Sequence, residues 1–305
     1  MTGRLVHTGQ VIVDLVMRVG ELPPRGGDVL AGSFGLSPGG GFNVMAAAAR
    51  SGAPVVYAGA HGAGRFGDQV RAALQEEGIT VAQPPADGPD TGICVVLVDA
   101  GGERTFVTGT GAEGALRPER LSGVETTPQD VVYVSGYSLL HESNRAALLA
   151  WLPGSRGRVL FDPGPLAGEI DGRVLDRVLS TVDILSCNAR EARSLSGRDD
   201  PGAAASALSE RTGAAAVVRN GPDGCLLARN GKTAGVPGFP VHPTDTNGAG
   251  DTHCGVLAAA LLAGADLETA AVRANAAAAL SVRTEGPATS PTAAEIDAFL
   301  TASSS

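Results

Sequence analysis

Short apolar runs with strand character alternate with helical segments along almost the whole chain, and this alternation restricts the fold more than any other feature. Candidate strands lie at 11–16, 55–60, 94–98, 131–135, 159–161, 184–187, 215–219 and 225–228. Candidate helices fall between several of them, at 43–51, 67–77, 144–152, 189–195 and 201–212. Two more helices follow residue 251, the second with Asp266 as its N-cap. Strand–helix–strand units set successive strands parallel and cover both faces of the sheet. The expected fold is an α/β three-layer sandwich around a central, mostly parallel sheet, with ligands bound beyond the carboxyl ends of the strands. A chain of 305 residues is long enough to bury a large core, and we read 1–305 as one α/β domain.

Two stretches break the alternation. Residues from about 14 to 36 are rich in Gly, Pro and Val without helical period. Residues from about 91 to 111 read as a hairpin, 93–98 and 104–108, joined by Asp99-Ala100-Gly101-Gly102. Strands without intervening helices predict a small sheet apart from the main one, a β lid able to close over a ligand and exclude water. Residues 301–305 are expected to be disordered.

The sharpest motif is Asp245-Thr246-Asn247-Gly248-Ala249-Gly250-Asp251-Thr252. An alanine-rich apolar helix follows it, from Thr252 to Leu262. Gly248, Ala249 and Gly250 leave backbone N–H groups bare at a helix N-terminus, where unpaired donors and the helix dipole attract an anion. Asp251 puts a carboxylate where an anion should bind. That is costly unless the carboxylate takes a proton from a nucleophile attacking the anion. Alone, such a cluster is also ordinary turn and cap chemistry.

The other motifs bear on that choice. Gly39-Gly40-Gly41-Phe42-Asn43 opens an Ala-rich helix, and Asn43 offers a donor and an acceptor suited to a polyhydroxylated ligand. Asp14, at the end of the run 11–13, is placed to hold two hydroxyls. Asn188 and Glu191 follow a strand and either cap a helix or orient a hydrated Mg²⁺. Arg219-Asn220-Gly221 ends another strand and has the chemistry for phosphate. Gly62-Ala63-Gly64-Arg65-Phe66-Gly67 is a formal GxGxxG, but it lies beyond the first βα unit and lacks the acidic residue of a dinucleotide fold. An oxidoreductase is therefore disfavoured. Gly231-Lys232-Thr233 is not a P-loop, because Leu226 stands where its first glycine belongs. Lys232 is the only lysine, so phosphate chemistry here rests on N–H groups, arginine, metal ions and carboxylates.

Composition removes other classes. The net charge of −9 argues against a nucleic-acid or anionic-membrane partner. The four cysteines lack metal or redox spacing and read as buried free thiols in a reducing compartment, so a cytoplasmic protein is expected. The five histidines show no metal spacing either.

Together these motifs resemble the ribokinase-like (PfkB) family of carbohydrate and nucleoside kinases, over nearly the whole chain from Asp14 to beyond Asn275. The resemblance implies ATP and Mg²⁺ as cofactors and a small sugar or nucleoside as acceptor. It makes Asp251 the general base, with Gly248, Ala249 and Gly250 as the anion hole. Asp14, Gly40, Gly41 and Asn43 would hold the acceptor. Asn188 and Glu191 would serve the Mg²⁺–phosphate region, Glu191 through water. Arg219, Gly221, Gly224 and Asn275 would lie along the nucleotide. Asp245, with the carbonyls of Asn247 and Val282, would form a K⁺ site in relatives that use potassium, and the β lid would also clasp a homodimer. GGGFN is one residue shorter than the family's GG-x-x-x-N and lacks the lysine of ribokinases proper, which weakens ribose as the specific acceptor. Arg25 and Arg104 are the lid cations available for a phosphosugar, and Phe34, Phe42 and Phe106 keep a nucleoside acceptor open. A non-catalytic sugar-binding relative is the reading outside enzymes.

Overall fold

The structure, a computed structural model, describes residues 3–286 and 288–303. Its strands begin with β1 (Leu5–His7), β2 (Val11–Arg18), β3 (Ser33–Gly40), β4 (Val55–Tyr57), β5 (Thr80–Val81), β6 (Ile93–Val98) and β7 (Arg104–Gly109). They continue with β8 (Val131–Ser135), β9 (Arg158–Asp162), β10 (Ile184–Asn188), β11 (Ala215–Arg219), β12 (Cys225–Arg229) and β13 (Lys232–Val236). Helices α1 (Gly41–Arg50), α2 (Arg65–Glu76), α3 (Pro118–Leu121), α4 (Gly136–Leu140), α5 (Glu142–Trp151) and α6 (Gly172–Leu179) occupy the first part of the chain. The rest are α7 (Ala189–Ser196), α8 (Pro201–Thr212), α9 (Ala249–Leu262), α10 (Leu267–Ser281) and α11 (Ala293–Ser303).

Nine strands form the central sheet in the order β13-β12-β11-β10-β9-β8-β1-β4-β5. All its pairs are parallel except β11–β12 and β12–β13, the antiparallel edge. Alternating side chains feed two cores. Leu5, Tyr57, Tyr133 and Leu160 pack beneath α1, α2, α9, α10 and α11, whereas Val6, Val132, Val134 and Phe161 pack beneath α3 to α8. The sheet is thus the middle of three layers. All four cysteines are free and buried. Among the described residues no helix is long and apolar enough to cross a membrane.

A separate four-stranded sheet runs β3-β2-β6-β7. It covers the two interrupted stretches but is larger than they suggested. β2 starts at Val11 and continues past Asp14 to Arg18, so Asp14 lies mid-strand in the small sheet, not at the end of a strand of the main one. β3 pairs along its full length with β2 although it contains Pro38 and three glycines. The expected disorder at 301–305 is corrected in part: α11 extends to Ser303, while 304 and 305 lie outside the described residues.

Candidate active site

Three glycine-rich segments open helices among the described residues, and at two of them, α2 and α9, the N–H groups have different fates. At the start of α2, the Asp90 carboxylate accepts from Gly64 N at 3.1 Å, Phe66 N at 2.7 Å and Gly67 N at 2.9 Å. That terminus is filled by the chain's own anion, so the 62–67 GxGxxG is a cap and not a phosphate site. At α9, Gly248 adopts φ 72°, a left-handed turn that a residue with a Cβ resists. Thr252 N bonds Gly248 O at 2.8 Å, and Ala249 N reaches Thr246 O only at 3.4 Å. Among the described residues, the N–H groups of Gly248, Gly250 and Asp251 have no acceptor. This terminus is open to an external anion.

Packing brings Asp251 to its partners. α9 crosses α1 closely because Gly255 has no Cβ: one there would meet Val44 O and the Ala47 side chain. The crossing sets Asn43 Nδ2 3.0 Å from Asp251 Oδ2. Among the described residues, Asn43 Oδ1 is buried without a partner, a free acceptor beside the carboxylate. Burial pushes Asp251 up to about 6; the Asn43 bond opposes this, Asp162 and Glu191 add to it, and Arg219 opposes it. A helix N-terminus stabilises a carboxylate by at most about 2 kcal/mol. The upward shift shows that desolvation outweighs that help. Asp251 is therefore ionised at neutral pH yet ready to take a proton.

Asp14 faces it from the small sheet, pushed up to about 6 by burial and then by the charge of Asp251. The glycine cluster serves this placement. A Cβ on Gly39 would collide with the Asp14 carboxylate. Gly40 turns the chain at φ 61°, and a Cβ on Gly41 would strike the His7 ring, which is buried and stacked on Tyr133 at 4.8 Å. Gly41 N already donates to Gln10 O at 2.8 Å, so this N–H is not offered to a ligand. The glycines shape the pocket wall.

Beneath α9, Arg219 is held by Ser186 Oγ at 2.7 Å, Asp162 Oδ2 at 3.1 Å and, farther off, Glu191 Oε2 at 3.7 Å. Its guanidinium is spent on these internal contacts, and a Cβ at Gly250 would lie 3.6 Å from it. Asn188 and Glu191 form a reciprocal cap on α7, each accepting the other's N–H at 2.8 Å. Asp162, the last residue of β9, and Glu191, in the first turn of α7 just past β10, thus hold one guanidinium between two carboxylates. No three His, Cys, Asp or Glu side chains converge into a direct metal cage among the described residues.

Gly221 and Gly224, at φ 60° and 90°, shape the β11–β12 connection, and Asn220 N bonds Gly224 O at 2.7 Å. Asn275 is buried, donating to Val236 O and Pro237 O at 3.1 Å each and meeting His253 Nε2 at 3.2 Å. It braces the segment after β13, with its amide fully engaged. Asp245 accepts from Asn247 N at 2.8 Å, from Gly286 N at 3.2 Å and from the Arg104 guanidinium of β7. Burial opposes them, yet these bonds together hold its carboxyl below the usual range. The Val282 carbonyl accepts from Thr244 N at 2.7 Å and Asp245 N at 3.1 Å.

Sequence reasoning missed Asp162, and it quoted Gly39 in the glycine cluster without the role of making room for Asp14. Asp162 ends β9 in Phe161-Asp162-Pro163-Gly164, which reads as turn chemistry; its one usable signal was its place at the carboxyl end of a central strand.

A proton acceptor beside an open helix N-terminus, at the carboxyl end of a wound sheet, is the equipment of a phosphotransferase acting on a hydroxyl. Residues 2–294 match the pfkB family carbohydrate kinase model. The chain is 30% identical to the sugar kinase YegV of Escherichia coli (strain K12) over 294 residues, 94% of this chain and 91% of that one. It is 30% identical to the ATP-dependent ribose-1-phosphate kinase of Halopiger xanaduensis, covering 97% of this chain and 98% of the relative. An Arabidopsis thaliana ribokinase solved with ribose and ATP superposes with a TM-score of 0.78 at 22% identity, over 98% of this chain and 99% of that one. The chain belongs to the pfkB family of carbohydrate kinases, phosphotransferases with an alcohol group as acceptor.

Proposed function

We propose that the chain transfers the γ-phosphoryl group of ATP to a hydroxyl of a small sugar of the ribose or fructose kind, with Asp251 as general base. One observation carries this reading: the Asp251 carboxylate, steadied by Asn43, lies against unpaired N–H groups and across from Asp14. Asp14 and the free Oδ1 of Asn43 orient the acceptor hydroxyls. Asp251 removes the proton as the acceptor oxygen bonds to phosphorus and the bond to the β-bridging oxygen breaks. The N–H groups of Gly248, Gly250 and Asp251 stabilise the spreading charge, and Mg²⁺ bound to the phosphates supplies further neutralisation. Asp162 and Glu191, two carboxylates sharing one arginine, retain the negative charge that suits the water shell of such an ion.

A potassium ion on Asp245, Asn247 O and Val282 O fits poorly with this arrangement, because Arg104 already neutralises Asp245 and Val282 O accepts two N–H groups. We route no step through it. The small sheet acts as the lid, and its outer face, where Phe34 and Val107 are 74% and 63% exposed, is the surface on which a homodimer would form. We infer a cytoplasmic setting for a kinase of this kind. A nucleoside is the second acceptor reading, favoured by Phe106, which lies on the inner face of the small sheet and is 57% exposed. Phe42 is buried and Phe34 faces outward, so neither contributes to it.

The test is a coupled ADP-release screen over ribose, fructose, other ketoses, phosphosugars and nucleosides, with and without K⁺. Turnover of a sugar supports the reading. ADP release that no acceptor stimulates contradicts it.

A further inference from the structure

Strand register divides the inner face of the small sheet into three rows. Nearest Asp251 is a polar row in which Asp14 pairs with Ser37 and Cys94, and Cys94 with Thr108. Two residues farther along the strands, Val16, Val96 and Phe106 form an apolar row. Two residues beyond that, Arg18 and Arg104 flank Val98 in the only row that carries positive charge. Four residues of strand put the arginine row about 13 Å from Asp14.

Both arginines already have partners on the body. Arg104 binds Asp245, whose side chain is 7% exposed, and Arg18 binds Glu285. Arg25 lies in the exposed connection between β2 and β3. Under the acceptor, Arg219 is committed to Asp162, Ser186 and Glu191. Arg18, Arg104 and Arg219 are thus all committed to carboxylates, and the rows nearest Asp251 present two carboxylates, neutral polar groups and an apolar wall.

Resting on the kinase reading above, we propose that the acceptor is uncharged, and that this chain rejects sugars already carrying a phosphate. An acceptor phosphate would face Asp14 and Asp251 or lie on Val16, Val96 and Phe106. Like charges brought together in this way cost several kcal/mol without a compensating partner. Phe106 is the specificity position, since it occupies the place on β7 from which a basic side chain would reach such a phosphate.

ADP release is measured for ribose, ribose 1-phosphate and ribose 5-phosphate, and for fructose with its 1- and 6-phosphates, against Asp251→Asn as background. Using both isomers leaves the reacting hydroxyl free in at least one ester of each pair. The expected result is a kcat/KM for the neutral sugar at least about 100-fold above its best ester, the size of an uncompensated charge. Phe106→Arg, at an exposed position, should raise the ester-to-neutral ratio by about 10-fold. A phosphorylated sugar that matches or exceeds its parent overturns the inference and leaves the kinase reading standing. No turnover above the Asp251→Asn background for any acceptor removes the kinase reading and the inference with it.

Discussion

Asn43 Nδ2 and Asp251 Oδ2 lie 3.0 Å apart, although 208 residues separate them in the chain. The bond stabilises the ionised form of a carboxylate that burial pushes toward neutrality. Asn43→Ala removes that donor, so the pKa of Asp251 should rise above about 6 and the acid limb of the kcat/KM profile should move to higher pH. A pH–rate profile checks the shift. Unchanged acid limbs would mean that Asn43 holds only the acceptor.

Gly39 is required by Asp14, because a Cβ at 39 would displace the carboxylate. Gly39→Ala should raise the acceptor KM by about 10-fold or more, the scale of one lost charge-assisted bond. The KM for ATP should hold. Initial-rate kinetics with each substrate varied in turn make the comparison.

The Arg104–Asp245 pair joins the small sheet to the loop before α9. Asp245 keeps the Asn247 and Gly286 N–H bonds when Arg104 is lost, so Arg104→Ala should cost about 1–3 kcal/mol, less than stripping a fully buried ion. It should also expose Asp245 to cations. Potassium is expected to restore activity to Arg104→Ala while leaving the parent protein unaffected, which a KCl titration against a choline control measures.

Fold and site were legible to different degrees. β8, β11 and α8 could be bounded correctly because apolar runs and the Asp200 and Gly213 caps mark their ends. β3 was invisible: Ser33–Gly40 carries Pro38 and three glycines, and only its pairing with β2 makes it a strand. The anion-binding loop could be read locally, since its chemistry sits in consecutive residues. Pairings such as Arg104 with Asp245, 141 residues apart, depend on how two sheets meet. The same holds for Arg219, whose position at a strand end suggested a ligand contact but whose partners, Asp162 and Glu191, lie at the end of β9 and in the first turn of α7.

Burial of Asp251 has a consequence for stability. A carboxylate raised from 3.8 to about 6 favours folding most when protonated, so its contribution is present below pH 4 and is lost as pH rises through 6. Asp251→Asn should therefore raise Tm above pH 6, and the advantage should vanish toward pH 4. Paired thermal melts across that range measure it. An Asn variant less stable at pH 8 would contradict the placement of the carboxylate.

The central claim is proton removal by Asp251, and the most direct measurement is kcat of Asp251→Asn at saturating ATP and acceptor, with ATP binding followed separately. The account predicts a loss of at least about 100-fold, the range of positioned general-base catalysis, with nucleotide affinity kept. Turnover within a few-fold of the parent protein would contradict it.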